Sequence, residues 1–589
     1  MLTIPRPEHP RAQFERSDWV NLNGTWSCVL DNTDSGLEKG YPGSQGFDDP
    51  ITVPFCPEST LSGLGHTGFI LGIWYHRTMT VPAEWNGAGV VLHFGGVDYE
   101  TTVFIDGKPV ARHWGGSCGF EQDITPFVRP GSVHHLVVHA RDNLRSWEQP
   151  AGKQSMQVRS HGCHYTRTTG IWQTVWIERV HPRGLSSCTM VPDLEGGRVL
   201  ITPHLHTPCS STRLQVRALL GEETVGWCST PCRPGIPAVL ELERVEPWSP
   251  HAPTLYTLEL SLQEGDGNVI DTVRSYTGLR TISVDGNRLL LNNEPLFLRL
   301  VLDQGFYPDG IWTAPDDAAL RRDIELAMEA GFNGARLHQK VFEERFHYWA
   351  DRLGYLTWGE FPSWGVDITT PAGGRAVLSE WRSVVVRDRN HPSIIAWTPF
   401  NETDPQPGEK HVAHNRVVAD TVALTRALDP TRPINDCSGW VHVETDIWTV
   451  HDYEQNPRTL AEKLEGDDNG APLRNRPDCE PPYQGQPYVV DEYGGIRWVP
   501  DRGGASAADG WGYGDAPRSD SEFYERLEGL TKAILANNAI CGYCYTQLTD
   551  VEQERNGIYF YDRTPKGDME RVRSIFTLTP DWSCDAPGA

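Results

Sequence analysis

Apolar and polar positions alternate in short runs through the first third of the chain. In GVVLHFGGVDYETTVFIDGKPV the alternation occurs twice, interrupted at Asp106-Gly107, a pair suited to a two-residue hairpin turn. HHLVVHARD and QTVWIERV repeat it, with Gly and Pro between the runs and no useful stretch of helical period. This pattern predicts a β-sandwich over residues 1–182. A smaller set of alternating runs follows: RLQVRALL, AVLELERV and TLYTLELSL, two of them separated by the Pro-rich turn EPWSPHAP. Their length and spacing predict an immunoglobulin-like sandwich over 183–276.

From 277 to 589 the pattern changes to strand, helix, strand, helix. LFLRLVLD, FNGARL, YLTWGEF, SIIAWTPF, PINDCSG, DIWTVHDY, YVVDEYG and ICGYCYTQLT read as eight strands, most of them separated by helical stretches such as SEFYERLEGLTKAILAN. The first helix is expected to start at Pro315, with Asp316 and Asp317 in its first turn and Leu320, Ile324, Ala327 and Met328 on one face. Eight parallel strands with intervening helices make a (β/α)8 TIM barrel, whose chemistry sits at the C-terminal ends of the strands.

Composition narrows the function. A net charge of −26 argues against nucleic acid and anionic membranes as partners. No basic segment followed by an apolar run opens the chain, and no apolar run approaches the roughly 18 residues of a membrane helix. Thirteen scattered cysteines suit reduced thiols, so a cytoplasmic location is expected. Cys228/Cys232 and Cys541/Cys544 have ligand-like spacing but lack a second pair or a nearby His, so neither a metal nor a cofactor is expected. The 21 tryptophans serve mainly in cores, although sugar clefts also use flat aromatic faces.

The candidate chemistry lies at two strand ends. SIIAWTPF stops on Asn401 and Glu402, and the seventh strand, VVDEYGG, carries Glu492 to the same rim. Two carboxylates at one barrel mouth suit glycoside hydrolysis, in which one protonates the leaving oxygen while the other attacks the anomeric carbon or activates water. The alternative is a structural carboxylate paired with a nearby base such as Arg336 on the second strand.

Asn401-Glu402, DEYGG and two β domains ahead of the barrel resemble glycoside hydrolase family two, the family of β-galactosidases and β-glucuronidases. PRPEHPRAQFERSDWVNLNGTW, TTGIWQTVWIERV, EPWSPHAPTLYTLEL and GFNGARLHQKVFEERFHYWADRLGYLTWGE are similar to its other segments, in order, so the likeness covers nearly the whole chain. The resemblance implies a jelly-roll first domain and a retaining mechanism, with Glu402 as acid/base, Glu492 as nucleophile and Asn401 on the sugar 2-hydroxyl. It also implies that the Glu492 charge raises the pKa of Glu402 until the covalent intermediate forms.

Departures from the family bear on the sugar. Glu554-Arg555-Asn556 stands where family β-glucuronidases carry Asn-x-Lys, so glucuronides are expected to be poor substrates. Asp303, His338, His451 and Asp452 are the leading candidates for sugar contacts, each with an alternative as a buried network residue. Tyr453 and the jelly-roll His164 are further candidates, and Arg336 with Glu360 is expected as a supporting ion pair that holds Glu492 ionised. The expectation is an exo-glycosidase on neutral glycosides or short oligosaccharides, β-galactosides first and α-L-arabinosides or related furanosides second, capable of homo-oligomerising. A carbohydrate-binding protein on an inactive scaffold is the non-enzyme alternative.

Overall fold

The computed structural model describes residues 4–208, 211–405, 408–466, 472–500 and 510–580. In the N-terminal region the alternating runs pair into a six-stranded and a four-stranded antiparallel sheet, closed over a core that includes Trp26, Tyr75, Leu92 and Val138. Ile105 pairs with Lys108 across a turn in which Asp106 and Gly107 both have positive φ, 50° and 79°. That is the geometry of the primed hairpin turn which Asp-Gly favours. The next unit packs a three-stranded sheet (Leu185–Asp193, Arg198–Leu205, Ala238–Glu241) on a four-stranded one (Arg213–Leu220, Glu223–Pro231, Tyr256–Gln263, Val269–Thr277). Inward Leu, Val and Ile side chains fill the space between them.

The barrel strands are β1 (Leu298–Asp303), β2 (Gly334–Leu337), β3 (Leu356–Glu360), β4 (Ile394–Thr398), β5 (Cys437–Ser438), β6 (Trp448–Asp452), β7 (Tyr488–Gly494) and β8 (Ile540–Thr546). They pair in parallel in the order β4-β3-β2-β1-β8-β7-β6. The gap is spanned by Phe400–Asn401, which continues β4 after a bend and pairs in parallel with β5. Helices α1 (Asp317–Glu329) to α4 (Glu409–Leu428) follow β1 to β4. α5 (Pro457–Leu464), α6 (Asp520–Leu535) and α7 (Met569–Phe576) follow β6, β7 and β8, and among the described residues no helix joins β5 to β6. α1 begins two residues later than expected: Asp316 is its cap, its carboxylate accepting from Ala319 N.

Two apolar layers set which way each strand residue points. Leu298, Leu300 and Leu302 join Trp358, Val489 and Cys544 in the lumen, whereas Val301, Leu337, Val490 and Tyr493 pack outward against the helices. Among the described residues no helix is long and apolar enough to cross a membrane.

Candidate active site

Glu402 follows the short β4 extension and takes a left-handed backbone, φ 48°, held by its N–H donating to Ser438 O at 3.0 Å. A non-glycine residue in that region costs on the order of 1–3 kcal/mol and marks a functional site when its surroundings enforce it. The strain turns the carboxylate into a cavity of about 640 Å3 whose walls include Trp364, Met156, His164 and Asn401.

Glu492 reaches the same mouth by another device. Val490 pairs with Tyr543 and Tyr493 with Tyr545, so Asp491 and Glu492 together stand opposite a single β8 residue. This bulge aims both acids at the lumen, where regular alternation would aim only one.

His451 joins the pair. Its Nδ1 lies 2.7 Å from Glu402 Oε1 and 3.4 Å from Glu492 Oε2, and its Nε2 lies 3.4 Å from Asp491. Burial alone would strip its proton, but Glu492 and Asp491 outweigh burial and raise its pKa to about 10. A histidinium thus bridges the two carboxylates, a role the sequence reading, which took His451 as a candidate sugar contact, did not include. One oxygen of each glutamate and a ring nitrogen of His451 lie within 4.8 Å of one another, close enough to hold a cation. The imidazolium, however, offers protons there and no lone pair.

Arg336, fully buried, is the hub behind the pair. It donates to Glu360 (2.6 Å), to the carbonyl of Asp491 (2.9 Å) and to Asn401 Oδ1 (2.7 Å), and lies 3.0 Å from Glu492 Oε1. Burial would raise the pKa of Glu492, yet the His451 and Arg336 charges hold it below the ordinary carboxylate range. Arg336 therefore supports the carboxylates from behind and is not placed to touch a sugar. With Oδ1 bound by Arg336, the Asn401 amide is fixed in one orientation. Its buried Nδ2 has no hydrogen-bond partner among the described residues, leaving a donor for a ligand.

The other candidates divide by strand parity. The Tyr453 hydroxyl donates to Glu492 Oε2 and lies 3.0 Å from Thr546 Oγ1, and its ring stacks on Tyr513 at 3.4 Å. His338 is held neutral by burial and by Arg336, and its Nδ1 accepts from Arg336 at 2.7 Å, so its hydrogen sits on Nε2. His164 lines the cavity 5.5 Å from the Trp364 ring.

Asp303 and Asp452 do not join them. Asp303 lies on the helix-facing side with Val301 and accepts from Gly305 N, with burial and Asp323 pushing its pKa to about 7. Asp452 points outward between two inward neighbours and meets Lys463 of α5 at 3.3 Å.

Three participants went unread in the sequence: Asp491, Trp364 and Lys153. Trp364 follows β3 in FPSWG and donates from Nε1 to Asn401 O at 3.0 Å. Lys153 comes from the first sandwich, its ammonium 4.6 Å over the Trp364 ring. At the Glu554-Arg555-Asn556 segment, Asn556 accepts from Gln547 (2.7 Å) and donates to Glu554 (3.0 Å), which also accepts from the Tyr165 hydroxyl (2.5 Å). Neither cysteine pair belongs to a cluster of potential metal ligands among the described residues.

A parallel barrel with two acids converging at its C-terminal mouth, behind two β-sandwiches, defines a glycoside hydrolase. Residues 20–178 match "Glycosyl hydrolases family 2, sugar binding domain", residues 207–280 match "Glycosyl hydrolases family 2", and residues 282–504 match its TIM barrel domain. The chain belongs to glycosyl hydrolase family 2. It is 27% identical over 445 residues to a β-glucuronidase of Paenibacillus borealis, covering 70% of this chain and 72% of that one. It is 25% identical over 336 residues to a β-galactosidase of Thermoanaerobacter pseudethanolicus, covering 55% and 44%. The fold superposes on a β-glucuronidase from Ruminococcus gnavus in complex with D-glucuronic acid, with a TM-score of 0.79 at 20% identity over 97% of this chain and 100% of that one.

Proposed function

We propose that this glycoside hydrolase removes terminal β-linked sugars by double displacement, with Glu492 as nucleophile and Glu402 as acid/base. The carrying observation is the His451-bridged pair, whose nearest oxygens lie within 4.8 Å. That closeness supports a retaining pair, whose carboxyl groups lie roughly 5–5.5 Å apart. Glu492, ionised and oriented by Arg336 and Tyr453, attacks the anomeric carbon. Glu402 delivers a proton to the departing oxygen from an outer oxygen, Oε2, that no described residue hydrogen-bonds. Its resulting carboxylate then takes a proton from the water that opens the glycosyl-enzyme. The donor on Asn401 Nδ2 suits the sugar 2-hydroxyl, and Trp364 with Met156 offers an apolar wall to the aglycone.

The curated relatives support β-glucuronides as the first sugar to test, ahead of the β-galactosides expected from the sequence. β-Galactosides are second, supported by the acidic Glu554 and by Asn556, which replaces a cation. The described cysteines are all free, which supports work in a reducing compartment.

The test is hydrolysis of a panel of nitrophenyl β-glucuronide, β-galactoside, β-glucoside and α-L-arabinoside, with the first-formed anomer read by proton NMR. A product of retained configuration is expected. An inverted product, or no hydrolysis of any glycoside, contradicts the reading.

A further inference from the structure

Among the described residues the Lys153 ammonium makes no hydrogen bond and no ion pair, although the residue is only 7% exposed. A largely buried ammonium with no opposite charge paired to it is costly, and a ligand carboxylate would supply that charge. Its surroundings are those of the active site. Trp364, over which it sits at 4.6 Å, is hydrogen-bonded to Asn401 and shares the cavity with Glu402. Burial opposes its charge, but the field of Cys163, and after it those of the carboxylates Glu554, Glu492 and Glu402, raise its pKa. None of them is its partner: Glu492 and Glu402 are engaged by Arg336, Tyr453 and His451, and both oxygens of Glu554 are taken by Asn556 and Tyr165.

The segment that carries Lys153 is fixed on both sides. Ala151 N donates to Trp364 O at 2.8 Å, and Tyr165 N donates to Lys153 O at 2.8 Å. Gln154 Nε2 donates to Asp98 at 2.9 Å. Gly152 has φ 57°, and a Cβ there would lie 2.3 Å from Gln339 O just past β2. Backbone thus meets backbone at this contact, and the lysine enters from the sandwich at a set height above the barrel mouth.

We propose that Lys153 recognises the carboxylate of a uronic acid glycone and is the residue that sets uronide over neutral-sugar specificity. A sugar hydroxyl would offer this ammonium only a dipole, whereas a carboxylate supplies the missing opposite charge and accepts a charge-assisted hydrogen bond. The inference rests on the glycosidase reading above and adds the residue that would select a uronide.

The test compares wild type, Lys153→Met and Lys153→Arg on 4-nitrophenyl β-D-glucuronide and β-D-glucoside. Alongside, calorimetry measures D-glucuronic acid against D-glucose binding, and circular dichroism confirms folding. Wild type should favour the glucuronide, with a KM that rises with salt. Lys153→Met should lower kcat/KM for the glucuronide by roughly 10- to 100-fold, the worth of a hydrogen bond to a charged group, while changing the glucoside less than about threefold. Lys153→Arg should keep most of the preference. Equal losses on both substrates, or a wild type that cleaves glucoside but neither cleaves glucuronide nor binds glucuronic acid, would overturn the role of Lys153 and leave the glycosidase standing. If wild type cleaves neither glycoside, the glycosidase reading fails. Calorimetry then still decides the uronate site by whether glucuronic acid binds and Lys153→Met abolishes it.

Discussion

At the scale of single residues, the site is a chain of orientations. Arg336 fixes Asn401 and faces Glu492, Tyr453 holds the other oxygen of Glu492, and His451 ties Glu492 to Glu402. Burial, then the Glu492 charge, holds the Tyr453 phenol well above its ordinary range, so it remains a donor. Tyr453→Phe removes one hydrogen bond to a charged nucleophile, worth roughly 1.5–3 kcal/mol. Its kcat should fall by roughly 10- to 100-fold, with KM and the melting temperature little changed, as steady-state kinetics and thermal denaturation will read. The convergence of Glu402 and Glu492 at one mouth was legible because a buried strand that ends on a carboxylate is costly without a use. Asp303 and Asp452 were misread for a related reason: barrel strands are apolar on both faces, so the sequence does not say which parity points inward.

At the scale of elements, departures from regular strands place the acids. The bulge in β7 turns Asp491 and Glu492 inward together, and the left-handed turn after β4 aims Glu402. Neither is visible in a hydrophobic pattern, which registers that a strand exists and not where its pairing slips. The same reading located all eight strands, most of them as apolar runs bounded by charge or glycine, while PINDCSG, which supplies the two-residue β5, is largely polar. Where β5 ends, Gly439 has φ 60°, and a Cβ there would lie 2.6 Å from the His451 ring. Gly439→Ala should therefore displace the histidinium from the carboxylates. A shift of about 1 Å at a reacting group can cost roughly 100-fold. Kinetics should show a fall in kcat of that order, with the folded state retained by circular dichroism.

At the scale of the whole molecule, the first sandwich and the barrel build one site between them. Lys153 and His164 enter from the sandwich, and the Tyr165–Glu554 hydrogen bond seals the contact. This part of the site was the least legible, because a loop some 250 residues before Glu402 carries no periodicity that points to a distant barrel.

Nearby, the contact between the sandwich and α3 (Pro371–Asp388) is acidic: Ser117 N donates to Glu380 at 2.6 Å. Burial raises Glu380 to about 7, and burial likewise raises Glu58 to about 8 and Asp142 to about 6 in the sandwich. Raised carboxyl pKa values mean that the folded state binds more protons than the unfolded chain, where these groups titrate at about 4. Their contribution to stability is present below that value and is lost as pH rises through 6 to 8. Above pH 7, where the histidines whose pKa burial lowers (His139, His164 and His347 among them) have lost their protons in the folded and unfolded chain alike, the melting temperature should therefore decline to pH 8.5, and Glu380→Gln should flatten the decline. A melting temperature that instead rose over this range would contradict these protonation states.

The central claim is the division of labour between Glu402 and Glu492, and the leaving-group dependence of Glu402→Ala tests it most directly. Without the acid, glycosides whose leaving group needs a proton should nearly stop reacting. Dinitrophenyl glycosides of the preferred sugar depart as stable anions and should still form the glycosyl-enzyme. Because the second step then lacks its base, a burst followed by slow turnover is expected, and azide should accelerate release to give a glycosyl azide of retained configuration. An equal loss on activated and unactivated substrates, with no azide product, would show that Glu402 is not the acid/base.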